Sequence, residues 1–186
     1  MESERIEFLR RFMTQPRKIG SITPSSSFLT RKMMGGLPWE DMRTVVELGA
    51  GTGVFTRYIA ERRVAECNVV VFEQSAEMRK SLQARYPCFC YAAKAETLGS
   101  TLRRLDLPKA DCIISGLPFS IFAESLRSRI MENVYDNLAD GGIFVAFQYS
   151  PFLYKMLKRY FPSVKTDFVL MNLPPAFVYL CRKQEE

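Results

Sequence analysis

Two carboxylates and a short run of glycines are the residues of this sequence whose types and spacing could do chemistry. Glu47 stands near the end of a strand-like apolar run and comes just before the turn Gly49-Ala50-Gly51-Thr52-Gly53. Glycine has no Cβ, so such a turn can take positive φ and lets a ligand approach the main chain closely. Glu73 ends the next apolar run about twenty residues beyond the turn, where nucleotide-binding folds place the acid that holds a ribose.

The spacing of the glycines separates two classes of ligand. A dinucleotide fingerprint needs Gly-x-Gly-x-x-Gly, whose third glycine allows close packing beside a pyrophosphate. Here the run is Gly-x-Gly-x-Gly, and Val54 stands at the position of that third glycine. The Glu47 carboxylate would repel a pyrophosphate but suits the amino group of a methionine moiety. The pattern therefore predicts S-adenosyl-L-methionine, with Glu73 accepting hydrogen bonds from the ribose hydroxyls and Gln74 lining the adenine.

A third group of candidates lies where two later apolar runs end. Ligands of open α/β sheets sit beyond the carboxyl ends of the strands. In the segment 115–119 the proline stiffens the backbone, the carbonyl groups can accept hydrogen bonds from an incoming amine, and the aromatic ring can cover its nitrogen. Aromatic rings also attract a methylated cation. The candidates for catalysis are Ser115, Gly116, Leu117, Pro118, Phe119 and Tyr149, of which Ser115 is also a cofactor candidate.

The elements that must position these residues alternate between strand-like and helical periodicity, which indicates a mainly parallel sheet with helices on both faces. The last two strand-like runs flank Asn172-Leu173-Pro174-Pro175 and are too close together for a crossover helix, so we expect an antiparallel pair. This is a Rossmann-like α/β architecture of the class I methyltransferase type, with seven strands. Beyond the strands that end near Glu47 and Glu73, we predict strands at 88–92, 111–115, 143–149, 166–171 and 177–182, helices at 75–85, 96–105, 123–138 and 152–161, and a stop at Gly141-Gly142.

Length, composition and charge bound the class of protein. With 186 residues, 47% of them hydrophobic, the chain suits one domain with a real core, in which 1–36 form an N-terminal segment and 37–186 the core. A net charge of +6 suggests an acidic partner, either nucleic acid or an anionic lipid surface. No run reaches the roughly twenty apolar residues that span a bilayer, and the charged N-terminus differs from a signal peptide. We expect a cytoplasmic protein.

The five cysteines lack C-x-x-C spacing, and the chain contains no histidine. Neither a zinc site nor another metal site is therefore predicted. Most of the cysteines fall in apolar, strand-like runs, so we expect reduced core residues: Cys67, Cys88, Cys90, Cys112 and Cys181.

The stretch from Glu4 to Met13 has the pattern of an interfacial helix. Its apolar residues fall on one broad helical face, and nearby arginines and Lys18 supply positive charge. Basic residues of this kind attract an anionic membrane by about 1 kcal/mol each. The same pattern also suits an ordinary amphipathic helix packed on the domain, and both readings stay open.

The motifs resemble those of bacterial phospholipid N-methyltransferases, which are related to the rRNA adenine dimethyltransferases. The resemblance rests on residues 47–53 and 115–119, and extends to Pro16–Ser26 and Asn172–Tyr179, so it covers nearly the whole chain. It implies methylation of the amino headgroup of phosphatidylethanolamine, one to three times, at a membrane surface. Carried over by motif, Gly20 and Ser21 help to close the cofactor site and residues 47–53 cradle the methionine end.

Two positions depart from the related enzymes. Adenine dimethyltransferases usually carry asparagine at the head of the fourth-strand motif, where this chain has Ser115, as the lipid-acting relatives tend to. After the third strand, the segment Ala93-Lys94-Ala95 has a lysine where an acid often contacts the adenine, so only a backbone contact from Ala95 is expected. An RNA base, a small-molecule amine, and a non-catalytic membrane or partner module remain alternatives, and we expect a monomer.

The chemistry implied is in-line attack of a neutral amine on a sulfonium methyl, helped mainly by alignment and a dry pocket. The protonated amine must first lose a proton, and the chain has no histidine to take it. Water, a tyrosine hydroxyl or a lipid phosphate must accept that proton. Tyr149 is the best side-chain candidate.

Overall fold

The computed structural model describes residues 24–172 and 174–185, and the structural statements below concern those residues. The predicted amphipathic helix from Glu4 to Met13 lies outside them, as do Gly20 and Ser21. The described chain forms one mixed sheet with helices on both faces, which confirms the predicted α/β architecture.

Seven strands form the sheet, in the spatial order β3-β2-β1-β4-β5-β7-β6. The first five are parallel, and β7 runs antiparallel to both β5 and β6, so the predicted terminal hairpin is confirmed. The order reverses between β1 and β4, and the crevice at such a switch point is where open α/β sheets bind ligands. The strands are β1 (Thr44–Leu48), β2 (Asn68–Phe72), β3 (Cys90–Ala92), β4 (Ala110–Ser115), β5 (Leu138–Gln148), β6 (Ser163–Val169) and β7 (Ala176–Arg182).

Helices cover both faces of the sheet. Neighbouring residues of a strand point to opposite faces, so an apolar strand presents apolar side chains on each face. Val45 packs in the core on one face, and Val46 packs in the core on the other. The first core is covered by α1 (Pro24–Met34), α2 (Val54–Arg62) and α3 (Ala76–Arg85), and the second by α4 (Leu98–Arg104), α5 (Glu124–Asn137) and α6 (Tyr154–Tyr160). No helix in these described parts is both long and apolar enough to cross a membrane.

The fifth strand begins earlier than its sequence predicted. Strand β5 starts at Leu138, directly after α5, whereas the pair Gly141-Gly142 was expected to separate helix from strand. The glycines are instead part of an irregular ladder: Leu138 pairs with Ala110, the register shifts, and Gly141 takes φ +69°. The Gly142 carbonyl accepts from the Lys183 main-chain N–H, so the irregular stretch is still bonded to the chain that follows β7.

Other boundaries shift by a few residues. Strand β6 covers Ser163–Val169, so Leu170 and Met171 belong to the turn rather than to the strand predicted at 166–171. The helices predicted at 96–105 and 152–161 each begin with a short 3-10 segment, at Ala95–Thr97 and Pro151–Leu153.

The described cysteines are all free thiols, as predicted, but one is not in the core. Cys67, Cys112 and Cys181 are buried, Cys90 is half-buried, and Cys88 is exposed. The cause is the shorter third strand, which begins at Cys90 and leaves Cys88 in the preceding turn.

Candidate cofactor and acceptor site

The glycine turn after β1 is held against the neighbouring strand by main-chain hydrogen bonds. The Gly49 and Ala50 N–H groups both donate to the Phe72 carbonyl, at 2.8 and 3.2 Å. Gly49, Gly51 and Gly53 have φ of +78°, +55° and +89°, the left-handed region that glycine enters without a Cβ clash. The turn is thus fixed at the carboxyl edge of the sheet, as predicted from the glycine spacing.

The surroundings of the three glycines differ, and the difference locates the open side of the turn. A Cβ at Gly53 would collide with the Leu82 side chain, and a Cβ at Gly49 would lie 2.9 Å from Leu117 Cδ2. A Cβ at Gly51 would meet nothing within 4 Å. The main chain at Gly51 therefore borders open space, where a ligand can approach it.

Glu47 is a fully buried carboxylate with an incomplete set of partners. Its Oε2 accepts a hydrogen bond of 2.7 Å from the Thr56 hydroxyl, while Oε1 is buried without a partner in the described structure. Burial raises the pKa of Glu47 to about 7. Buried polar atoms normally have hydrogen-bond partners, so an orphaned carboxylate oxygen calls for a donor, preferably a cationic one. The ammonium group of a methionine moiety has that chemistry, and this site fits it.

Glu73, at the end of β2, connects the glycine turn to the start of α3. Its Oε2 accepts from the Gly51 N–H at 2.7 Å, and its Oε1 accepts from the Ser75 N–H at 2.8 Å. Each carboxylate oxygen has a second lone-pair direction, so these contacts leave acceptor capacity for ribose hydroxyls. Gln74 beside it is exposed.

Thr52 and Ala95 complete the described cofactor candidates. The Thr52 side chain is exposed, and its carbonyl accepts from the Arg85 guanidinium at 2.8 Å, which ties the turn to α3. Ala95 is buried at the start of a 3-10 segment, whereas Lys94 before it is exposed. Its side chain packs in the core, which leaves Ala95 only its main chain for a contact.

The fourth-strand motif lies directly against the glycine turn. The Gly116 N–H donates to the Leu48 carbonyl at 2.8 Å, and a Cβ at Gly116 would lie 2.8 Å from the Gly49 carbonyl oxygen. The fully buried Ser115 hydroxyl accepts from the Leu117 N–H at 3.2 Å. The turn and the motif thus form one continuous floor at the switch point between β1 and β4.

Phe119 differs from its predicted position. Its ring has no exposed area and packs in the core, with the Phe122 ring 6.1 Å away. The cause is local, because a 3-10 turn starts at Phe119 directly after Pro118 and directs the ring inward. The ring therefore packs in the core in this structure, instead of covering an incoming nitrogen as the sequence predicted.

Tyr149 lies on the face of the sheet that carries Glu47. Its ring packs edge-on against Phe147 at 5.6 Å, and Phe147 packs edge-on against Phe55 at 5.9 Å. Burial raises the pKa of the Tyr149 hydroxyl, and a hydrogen bond with Asn172 opposes that rise only in part. The hydroxyl consequently stays protonated at neutral pH, so Tyr149 can orient a ligand but is not poised as a phenolate base.

Three polar residues in this region were missed by sequence reasoning as site residues. Thr56 bonds Glu47, Asn172 bonds Tyr149, and Gln148 donates from Nε2 to the Leu117 carbonyl at 2.9 Å. Gln148 carried a usable signal, since a glutamine inside an otherwise apolar strand must find a partner if it is buried. Asn172 carried a weaker one, because it belongs to a turn motif without any indication of its contact.

A cavity of about 850 Å³ was also missed, because distant segments build it. It lies among the start of α5, the segment 151–156 and the hairpin of β6 and β7. Arg127 connects it to the acceptor motif by donating to the Phe119 carbonyl at 3.5 Å. Its lining includes Arg127, Phe152, Tyr154, Lys155, Arg159 and Phe177.

Known proteins resemble this chain in sequence and in fold. A family described as "Methyltransferase domain" matches residues 45–142. An ornithine lipid N-methyltransferase from Singulisphaera acidiphila is 35% identical over 184 residues, which cover 96% of each chain. A carboxy-S-adenosyl-L-methionine synthase from Pseudoalteromonas atlantica is 22% identical over 54% of this chain and 42% of its own.

Among solved structures, the N-methyltransferase NodS from Bradyrhizobium japonicum has a TM-score of 0.70 at 13% identity, with 88% of this chain and 99% of NodS covered. NodS in complex with S-adenosyl-L-homocysteine has a TM-score of 0.65 at 14% identity, over 94% of this chain and 98% of NodS. At these identities the likeness concerns the fold. The full-length sequence relative and the domain match decide the family, and they confirm the predicted cofactor. This chain belongs to the S-adenosylmethionine-dependent class I methyltransferases, in one family with the lipid N-methyltransferase from Singulisphaera.

Proposed function

We propose that this enzyme methylates the primary amine of a membrane aminolipid, working peripherally at the cytoplasmic face of the membrane. One observation carries the proposal: a lipid N-methyltransferase is similar to this chain from end to end, at 35% identity over 96% of both sequences. Ser115 at the head of the fourth-strand motif supports it, since the adenine dimethyltransferases that the motifs resemble usually carry asparagine there.

Two lipids are candidates for the acceptor. The resemblance found in the sequence favours phosphatidylethanolamine, and the name of the Singulisphaera relative favours ornithine lipid. Both present a primary amine a few bonds from an anion, which is a phosphate in one and a carboxylate in the other. The basic side chains of the cavity beside the motif, Arg127 among them, suit either anion.

The cofactor supplies an electrophilic methyl group on a sulfonium centre. The protein's part is alignment: the turn 49–53 and Gly116 form the floor, Glu47 binds the methionine ammonium, and Glu73 holds the ribose. Holding two reactants in line converts a bimolecular step into an effectively unimolecular one, which lowers the barrier to methyl transfer.

The acceptor amine needs orientation and the loss of one proton. We assign orientation to the Tyr149 hydroxyl, held by Asn172, and to main-chain carbonyls of the segment 115–118. The raised pKa of Tyr149 makes water or the substrate anion the better proton acceptor.

The test is transfer of labelled methyl from S-adenosylmethionine to phosphatidylcholine vesicles that contain ornithine lipid, phosphatidylethanolamine or neither, with RNA and free ornithine as further acceptors. Gly51→Arg is the inactive control, because its side chain would fill the open space in front of Gly51. Label in an aminolipid, absent from the control, supports the proposal. Label only in RNA or in the soluble amine contradicts it.

A further inference from the structure

The large apolar side chains that the described structure leaves exposed are concentrated in two segments. Six such residues occur, and five of them fall at positions 152–154 and 168–171. Leu170 and Met171, in the turn between β6 and β7, are 72% and 66% exposed. Single exposed apolar residues need no explanation, but a cluster of them marks an interaction surface. The members are Phe152, Tyr154, Phe168, Leu170 and Met171.

The two segments form one surface. The Phe168 ring packs against the Phe177 ring at a centroid distance of 4.8 Å, and Phe177 lines the 850 Å³ cavity together with Phe152 and Tyr154. The hairpin tip therefore stands beside the cavity mouth. We call these five exposed side chains, with the mouth of that cavity, the docking surface.

The docking surface lies at the edge of the sheet that carries the acceptor site. Phe177 pairs with Gln148 in the ladder between β7 and β5, and Asn172, in the hairpin turn, bonds Tyr149. The hairpin turn is therefore connected directly to a residue of the candidate acceptor site.

The charge of the docking surface is predominantly positive. Three cations, Arg127, Lys155 and Arg159, line the cavity against one carboxylate, Glu124. The Arg127 guanidinium stacks over the Phe152 ring at 4.6 Å, and its buried Nε has no partner in the described structure. A buried guanidinium N–H group without an acceptor is well suited to donate a hydrogen bond to an anion.

We propose that the hairpin tip inserts into the interface of an anionic phospholipid bilayer, and that the basic cavity mouth contacts the lipid headgroups. Aliphatic and aromatic side chains beside lysine and arginine are the composition of elements that lie in a membrane interface. The inference rests on the proposed lipid substrate, whose amine is presented at the bilayer surface. It adds a second contact, independent of the segment before residue 24, that turns the acceptor site toward the lipid.

The first test measures binding of the full chain to phosphatidylcholine vesicles with and without phosphatidylglycerol, by cosedimentation. Leu170→Glu with Met171→Glu places two charges at the exposed tip, and Gln83→Glu with Ala84→Glu adds the same charge on exposed positions of α3. We expect the tip variant to lower the partition coefficient at least about tenfold, since two apolar side chains leave the interface. The α3 variant and cofactor affinity should change little. Equal binding of the two variants, or no binding by the unsubstituted chain, overturns the proposal.

The second test concerns the basic cavity mouth. Phosphatidylglycerol should increase vesicle binding of the unsubstituted chain. Lys155→Gln with Arg159→Gln should make that increase about tenfold smaller, because each basic residue near an anionic surface contributes to attraction. The matched control is Lys80→Gln with Lys109→Gln, two exposed cations elsewhere. If both double variants lost vesicle binding equally, net charge alone would explain the binding, and the proposed headgroup contact would be overturned. Vesicle binding is measured without methyl transfer, so a chain that docks as described but methylates no lipid refutes the proposed function alone.

Discussion

The cofactor half of the carboxyl edge, formed by β1 to β3, is built differently from the acceptor half formed by β4 to β7. In the cofactor half, Glu73 bonds two main-chain N–H groups, and the turn it holds is itself bonded to Phe72. In the acceptor half, Tyr149 depends on Asn172 from a turn near the end of the chain. The cofactor half relies on a carboxylate that bonds main-chain N–H groups of a glycine turn, and such a turn leaves a signal in the local spacing. The Tyr149 contact joins two side chains and leaves no such signal, so the cofactor was easier to predict than the acceptor.

The largest effect is expected in the cofactor half, at two glycines of its turn. Gly53→Ala combines a φ of +89° with a collision against Leu82, so we expect a loss of roughly 2 to 4 kcal/mol of unfolding free energy. Gly51→Ala should cost only about 1 kcal/mol, because its Cβ enters open space. Denaturant unfolding measures the free energy of unfolding of both variants.

Cofactor affinity, measured by calorimetry, supplies the control for this pair. Gly51→Ala should weaken S-adenosylmethionine binding while the fold persists, since the added methyl would enter the open space in which we propose that the cofactor binds. A fully stable Gly53→Ala protein, or unchanged affinity in Gly51→Ala, would contradict the packing described for this turn.

Replacing Glu47 by glutamine should move stability and cofactor binding in opposite directions. The pKa of Glu47 is about 7 in the folded protein against 4.5 ordinarily, so the folded state holds the proton more tightly than the unfolded chain does. Unfolding free energy of the unsubstituted protein is then lost as pH rises from about 4.5 to about 7, by about 3 kcal/mol in total.

Glu47→Gln should not show that loss, so without cofactor it should be the more stable protein above pH 7. Its affinity for S-adenosylmethionine should fall about tenfold or more, because a charged hydrogen bond to the ammonium is removed. Thermal unfolding at pH 5 and pH 8 and calorimetric titration check both parts. If the difference in stability between the unsubstituted protein and Glu47→Gln were the same at both pH values, Glu47 would already be ionised in the folded state at pH 5.

On the acceptor half, Tyr149→Ala should lower turnover on lipid about tenfold to a hundredfold while S-adenosylmethionine binding persists, because orientation of the amine is lost. Tyr149→Phe keeps the ring, so its turnover on lipid should lie between that of Tyr149→Ala and that of the unsubstituted enzyme. Since the raised pKa of Tyr149 keeps its hydroxyl protonated, activity at neutral pH should not follow a tyrosine titration. Unchanged turnover in Tyr149→Ala would remove this residue from the acceptor site.

The smallest effect is expected at Gln148. Its side-chain amide fixes the Leu117 carbonyl, so Gln148→Leu should loosen the acceptor motif and raise the KM for lipid a few-fold, with about 1 kcal/mol lost in stability. Steady-state kinetics with varied lipid and fixed cofactor measure the change. If only the affinity for the cofactor changed, Gln148 would contribute to the cofactor half and not to the acceptor half.

The sequence predicted the elements and contacts that depend on neighbouring residues. The glycine turn, the acids at the ends of β1 and β2 and the terminal hairpin all follow from spacing and periodicity. The Thr56 bond to Glu47 and the Gln148 bond to Leu117 require the relative placement of helices and strands, which periodicity does not specify. The burial of the Phe119 ring was missed because the three-residue 3-10 turn that starts there leaves no periodic signal in the sequence.

The most direct measurement of the central claim is mass spectrometry of lipids after incubation of the enzyme with S-adenosylmethionine that carries a deuterated methyl group. Vesicles containing both ornithine lipid and phosphatidylethanolamine would let the two acceptors compete. We expect deuterated methyl groups on the amine nitrogen of one of these lipids, and none with Gly51→Arg. Unlabelled lipids from an enzyme that binds the cofactor would contradict that claim.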